Sequence, residues 1–444
     1  MKLLLWILLA LLPLAPFSRG ALLRPEGEVD YAADVEFALA ELQKRCGPFF
    51  QTKGIDWRKV EKDFRKEVKT VKTDADEWLL LIRLLARVRD GHAEVQRTEL
   101  TGDLTLPKEL FPELAGPGMF WCRIGKKVYV RESFGEAKEL GILPGMEVLK
   151  VDGEKVEKWL AARIAVLSDR ECFSTDHQAD FFARNWGLAH ERNTRLKLEL
   201  KDHEGKGIKR TVACVQKSFT PNGPMAYPAK MAGDNDVYYC ALEGSLGYIH
   251  VRRCKGGILE GFDEALAALG NLRGLIIDFR GNPGGGFDHD ALLGRFVPKG
   301  QVFHSNKDFA STGETPYGGP IVVIVDGTVR SAAETGSGMF KEEGRGYMIG
   351  ESPTAGMSAV KETIELPSGR FRLYVAVQSN KARWQGGRGI EGLGVEPHEI
   401  VAFEVADLIA GKDTLIERAR TLLGDFPAGK VAYNPGQHGW TQPQ

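Results

Sequence analysis

Residues 321–334, IVVIVDGTVRSAAE, decide the fold class. Ile321 to Val325 is an unbroken β-branched run with no polar alternation, the pattern of a strand buried on both faces of a parallel sheet. Asp326-Gly327 turns the chain, and Ser331 opens a segment, Ala332 to Phe340, that reads as a helix. A serine at a helix N-terminus sits beside unpaired N–H groups and the positive end of the helix dipole. It can attack a carbonyl while the N–H of Ala332 receives the developing negative oxygen. Ser331-x-x-Glu334 is equally a capping box that needs no chemistry, and on this segment alone the cap is the simpler reading.

The same design recurs upstream. LIIDFRGNPGGG, residues 275–286, is a buried strand running into a glycine-rich loop whose backbone can come close to a ligand. It lacks the Gly-Lys-Ser/Thr of a phosphate loop and the GxGxxG of a dinucleotide loop. Gly284 or Gly285 would supply a second N–H to an oxyanion hole. Further strand-type runs are Tyr248 to Val251, Tyr347 to Ile349 and Arg372 to Val377. Helical segments at Phe262 to Leu269 and Thr414 to Leu423 complete an α/β core over residues 236–424. RGIEGLGVEPHEI, residues 388–400, places Glu391 in a glycine-rich loop of that core.

Ahead of the core, residues 21–117 read as a helical domain. Ala33 to Leu42, Trp57 to Val68 and Asp74 to Val88 carry helix-period apolar residues. Asp74 is the expected N-cap of the third helix, with Glu77 as its capping-box partner, and Asp90-Gly91 is its expected stop, just before His92. Residues 118–217 are strand-rich, with a hairpin turn at Asp152-Gly153. The N-terminus has Lys2, an apolar run from Leu3 to Ala15, and small residues Ser18 and Gly20 before Ala21, the pattern of a secretory signal peptide over residues 1–20. That run is short for a bilayer span and is interrupted by Pro13 and Pro16, so no stable membrane span is expected after cleavage. The tail 425–444 is rich in Pro and Gly and reads as loose.

Net charge is −1 and no long basic run occurs, which argues against a nucleic-acid partner. The six cysteines have no CxxC spacing, so no metal site is expected; Cys240 and Cys254 flank neighbouring strands and are a candidate disulfide.

Together these segments resemble the tail-specific, or C-terminal processing, protease superfamily. Asp278-Phe279-Arg280-Gly281-Asn282-Pro283-Gly284-Gly285 is similar to its Asp-Leu-Arg-x-Asn-x-Gly-Gly loop, and Asp326 to Glu334 to its nucleophile turn. Gly350-Glu351 with Thr354-Ala355-Gly356 resembles its Gly-Glu-x-Thr-x-Gly turn, one residue longer here, and Glu391 to Pro397 its closing segment. Gly135 to Val156 resembles a PDZ domain, a module that binds extended peptide ends by strand addition. The resemblance implies a multidomain α/β protein: an N-terminal helical segment, a PDZ-like β domain, and an α/β core with a mixed sheet of ClpP/crotonase-like type. It implies an exported, periplasmic or secreted, serine endopeptidase acting on a peptide or protein substrate without cofactor or metal.

One departure bears on mechanism. The Ser–Lys branch has Lys directly after the Gly of the Thr-x-Gly turn, and this chain has Met357 there, with Lys361 four residues on. Gly54-Ile55-Asp56-Trp57 and Arg89-Asp90-Gly91-His92 resemble instead the tricorn and retinoid-binding-protein branch, whose base is histidine. The implied site is Ser331 as nucleophile, His92 as base and Glu391 as the acid orienting it, with Ala332 and Gly284 or Gly285 as the oxyanion hole. The alternative is a catalytically inactive ligand- or peptide-binding protein on the same fold.

Overall fold

A computed structural model describes residues 29–107, 112–217, 223–234, 236–379 and 384–424. The expected signal peptide and the C-terminal tail lie outside them.

The core is built on a seven-stranded mixed sheet. Its spatial order is Ala232–Asp234, Val237–Leu242, Leu246–Val251, Gly274–Asp278, Ile321–Val325, Tyr347–Gly350 and Glu399–Ile400. The first three strands are antiparallel hairpin neighbours, and the rest run parallel to Leu246–Val251. Gly274–Asp278, Ile321–Val325 and Tyr347–Gly350 are buried at every position, which is why they are apolar without alternation. Helices Ile258–Leu269 and Ala332–Glu342 cover one face through Phe262, Leu266, Met339 and Phe340. Helix Thr414–Gly424 covers the other through Leu415, Ile416, Ala419 and Leu422.

The three predicted N-terminal helices form as Tyr31–Phe50, Trp57–Glu67 and Asp74–Val88. They share a hydrophobic cluster with Phe371, Leu373 and Val375. Those residues lie on the late strand Phe371–Ser379, which pairs with Glu94–Arg97 on one side and Ala359–Glu365 on the other. The chain that carries His92 is thus bound to the core by sheet pairing as well as by helix packing.

The cap of the third helix differs from expectation by one residue. Thr73 is the N-cap and Asp76 its reciprocal partner, because the Asp74 carboxylate is engaged by the Tyr31 hydroxyl at 2.9 Å and by Arg370. Its C-cap is Arg89 at φ 53°. Residues 118–217 hold an antiparallel sheet in the order Met119–Ile124, Lys127–Ser133, Glu147–Val151, Arg195–Lys201 and Gly207–Ala213. The turn Asp152-Gly153 takes φ of 50° and 86°, as a two-residue hairpin with a primed turn requires.

All six cysteines are free. Cys240 lies in the cluster under helix Thr414–Gly424 and Cys254 in the cluster on the opposite sheet face, so the candidate disulfide does not form. Among the described residues no helix is long and apolar enough to cross a membrane.

Candidate active site

Because Gly274–Asp278, Ile321–Val325 and Tyr347–Gly350 are parallel, the loops that follow them emerge at one edge of the sheet, the usual location of ligands in such sheets. Ser331 stands in the middle loop. Its φ of 58° and ψ of −126° are unusual for a non-glycine residue and cost on the order of 1–3 kcal/mol, strain that persists only where neighbours enforce it.

Those neighbours are identifiable. On one side, Thr328 Oγ1 accepts from Gly281 N at 2.8 Å and Arg330 N donates to Asn282 O at 3.3 Å. On the other, Ala355 N donates to Val329 O at 2.8 Å. Glu334, fully buried, joins the whole. Its Oε2 accepts from Ser331 N at 3.0 Å and Met357 N at 2.8 Å; its Oε1 accepts from Thr354 Oγ1 and Gly356 N, both at 2.6 Å. Burial pushes Glu334 up to about 7 against the pull of these donors. The capping partner expected from sequence is therefore also the clamp between the nucleophile turn and the loop 354–357.

The glycine-rich loop presses directly on Ser331. A Cβ on Gly284 would lie 2.6 Å from Arg330 O and 2.8 Å from Ser331 Cβ, and one on Gly285 would overlap the Cys254 carbonyl. Gly284 N–H already donates to Asn282 Oδ1 at 2.9 Å. The N–H groups of Ala332 and Gly285 have no hydrogen-bond partner among the described residues.

Asp278 and Arg280 of the same motif serve a different purpose. Arg280 bonds Asp278 through Nε and Nη2, and Asp413 through Nη1 at 3.0 Å to each oxygen; Tyr248 adds its hydroxyl to Asp278 at 2.9 Å. Asp413 also accepts from Leu415 N and Ile416 N. Burial alone would raise the Asp278 carboxyl, but Arg280 holds it below its ordinary value. This cluster fastens the strand end to helix Thr414–Gly424.

His92 follows Asp90, whose Oδ1 accepts His92 N at 2.9 Å and whose Oδ2 accepts Ala376 N at 2.6 Å. His92 Nδ1 is buried, makes no hydrogen bond, and lies 4.0 Å from Asp90 Oδ1. Burial, with Lys361 next, lowers its pKa to about 4; Arg330 and Lys53 act in the same direction and Asp90 against it. Lys361 therefore acts on His92 as a charge. Met357 packs against the His92 turn: a Cβ on Gly91 would overlap its thioether, and Gln178 Nε2 donates to its sulfur at 3.0 Å. Gly91 belongs to the His92 turn and Met357 N–H binds the Glu334 clamp, so the two turns meet at this thioether. No hydrogen bond joins Ser331 to His92.

Glu391 is paired not with His92 but with Lys53, Nζ to Oε1 at 2.7 Å. Its Oε2 is buried without a hydrogen-bond partner. Burial raises its carboxyl to about 8, Asp90 and Glu334 adding to the rise and Lys53 opposing it. Sequence reading missed Lys53 and gave Asp90 a role only in the helix stop. The adjacency of Asp90 to His92 was the available clue; Lys53 offered none.

The model of Peptidase family S41 matches residues 245–401. The chain is similar to tricorn protease of Thermoplasma acidophilum, 28% identical over 182 residues, 40% of this chain and 16% of that protein. It is similar to a carboxyl-terminal-processing protease of Synechocystis sp., 24% identical over 321 residues, 67% of each. It is also similar to carboxy-terminal processing protease CtpB of Bacillus subtilis, 31% identical over 160 residues, 33% of each. Its fold is similar to that of mature CPAF, with a TM-score of 0.65, 14% identity and coverage of 90% of this chain and 98% of that one.

Proposed function

We propose that this chain, whose residues 245–401 match the model of Peptidase family S41, is an exported serine endopeptidase that cleaves peptides or protein C-terminal regions with Ser331 as nucleophile. The observation that carries this reading is the held strain at Ser331, φ 58° at a helix N-terminus, with the glycine loop packed against it at Gly284 and the N–H groups of Ala332 and Gly285 unused among the described residues. A capping serine has no need of that conformation, since caps ordinarily take extended backbone.

Ser331 Oγ attacks the carbonyl carbon, and its proton passes to His92. Burial keeps His92 neutral at pH 7, so its lone pair is available. The amide oxygen becomes an oxyanion held by Ala332 and Gly285, each donor accounting for about 10²–10³ in rate. His92 then returns the proton to the leaving amine, and water hydrolyses the acyl-enzyme by the same route in reverse. Asp90, 4.0 Å from Nδ1, is the carboxylate that stabilises the imidazolium, and Glu391 adds to it once ionised. The Ser331–His92 bond forms on substrate binding, as is common where free sites are loose. Export rests on residues 1–20, and capture of peptide ends on the PDZ-like sheet of residues 118–217.

The competing reading, a ligand-binding protein on this fold, draws on the unjoined Ser331–His92 pair. Incubation with a mixed peptide pool and with proteins bearing apolar C-terminal tails, read by mass spectrometry, separates the two. New termini produced by the wild type and absent with Ser331→Ala are expected. A folded wild type that produces none from about pH 5 to pH 9 contradicts the peptidase reading.

A further inference from the structure

Lys53 lies in the turn after helix Tyr31–Phe50, 338 residues from Glu391, yet the side chains of the pair are 1% and 0% exposed. An ammonium group leaves water at a cost of several kcal/mol unless it is paired and held, and here it is both. Lys53 N donates to Phe49 O at 3.0 Å, and Arg89 Nη1 donates to Lys53 O at 2.8 Å. Its Nζ lies over the Phe49 ring, 5.1 Å from the centroid. Its stem packs on Gly392, where a Cβ would approach Lys53 Cγ to 2.9 Å. Arg89, Asp90 and His92 share one turn, so Lys53 touches the base-carrying segment through its carbonyl and the acid-carrying loop through its ammonium.

We infer that Lys53 is a positioning residue of the site: its ammonium occupies Glu391 Oε1, fixes that carboxyl next to the Arg89–His92 turn and favours its ionised form, with Oε2 left without a partner among the described residues. The inference rests on the peptidase reading and deepens it. The charges that act on Glu391 come from three elements: Lys53 from the turn after the first helix, Asp90 from the His92 turn and Glu334 from helix Ala332–Glu342; the Cys46 thiol of the first helix, pushed up to about 12 by burial, is neutral. Among them only Lys53 favours the ionised carboxyl. Lys361 and Arg330 complete the set around His92. Without Lys53, a buried carboxyl beside two other acids ionises only at a still higher pH, and its value as a counter-charge to the imidazolium is lost over a wider range.

The test is the rate of fluorophosphonate labelling against pH for wild type, Lys53→Met, Lys53→Arg, Glu391→Gln and Lys53→Met/Glu391→Gln, with thermal unfolding of each. Lys53→Met is expected to move the rising limb of the profile alkaline by about one pH unit or more and to slow labelling at pH 7 about tenfold. The double variant is expected to label like Glu391→Gln and to recover much of the melting temperature lost by Lys53→Met. Lys53→Arg, which keeps the charge, is expected to keep the limb in place even if Lys53→Met does not fold. A folded Lys53→Met with the wild-type limb and rate overturns the inference, as does a Lys53→Arg profile shifted away from that of the wild type. If the wild type itself does not label, the peptidase reading fails, and the unfolding cycle still decides on Lys53. Coupling between the two positions at about pH 9 that is lost at about pH 5 supports it, and equal coupling at both overturns it.

Discussion

Two buried ionic clusters stand on this core, and they differ in how completely their polar atoms are engaged. In the Asp278–Arg280–Asp413 cluster both carboxylates are gripped by Arg280, and Tyr248 and the backbone N–H groups of helix Thr414–Gly424 take up further lone pairs. In the Lys53–Glu391–Asp90–His92 cluster, Glu391 Oε2 and His92 Nδ1 are buried and make no hydrogen bond. A buried polar atom without a partner costs about 1–3 kcal/mol, so a fold that keeps two of them in one cluster has not been built for stability there. The first cluster is a fastener, and the second is the one we propose to be the site.

The sharpest way to break this contrast is at the serine. Ser331→Ala is expected to reduce hydrolysis by about 10⁴-fold or more with little change in melting temperature, since alanine inherits the same backbone strain. The fastener should answer in the opposite way. Arg280→Met leaves Asp278 and Asp413 buried without a counter-charge and is expected to cost about 3–5 kcal/mol in a denaturant titration, with activity lost only as far as the protein unfolds. Gly285→Ala, whose Cβ overlaps the Cys254 carbonyl, is expected to cost about 1–3 kcal/mol and, with Gly285 N–H as the proposed oxyanion donor, to lower kcat more than it raises KM.

The pH profile sharpens the comparison further. His92 is lowered to about 4 and Glu391 raised to about 8. The rising limb of kcat/KM is therefore expected near pH 8, from ionisation of Glu391; a limb near the ordinary histidine value of about 6.5 would count against the buried cluster. The smallest effect is at Glu77. Its burial, then Asp34, raise it to about 8. Its folded pKa exceeds its unfolded one, so its contribution to stability is full at low pH and is lost as pH rises from about 4.5 through about 8. Glu77→Gln is expected to gain about 1–3 kcal/mol at pH 8.5 and little at pH 4, measured by thermal unfolding.

What the sequence made legible follows the same division. The buried strands showed as unbroken β-branched runs because both faces are covered, and Ser331 stood out because a strand, a turn and a helix start follow one another there. The helix cap at Thr73 was misplaced by one residue because Asp74 is claimed by Tyr31 and Arg370, contacts made across tertiary structure. Lys53 was invisible because a lysine in a polar turn reads as solvated, and only Glu391, brought from the far end of the chain, explains its burial. Gly284 and Gly285 were legible as a pair but not as individuals, since the Asn282 side chain decides which N–H remains available.

The central claim, that Ser331 is an activated nucleophile served by His92, is tested most directly by labelling with a fluorophosphonate serine probe in wild type, Ser331→Ala and His92→Ala. The account predicts a single adduct on Ser331 in the wild type, none in Ser331→Ala, and labelling slowed by about 10²-fold or more in His92→Ala. A folded wild type that does not label, or a His92→Ala variant that labels at the wild-type rate, would contradict it.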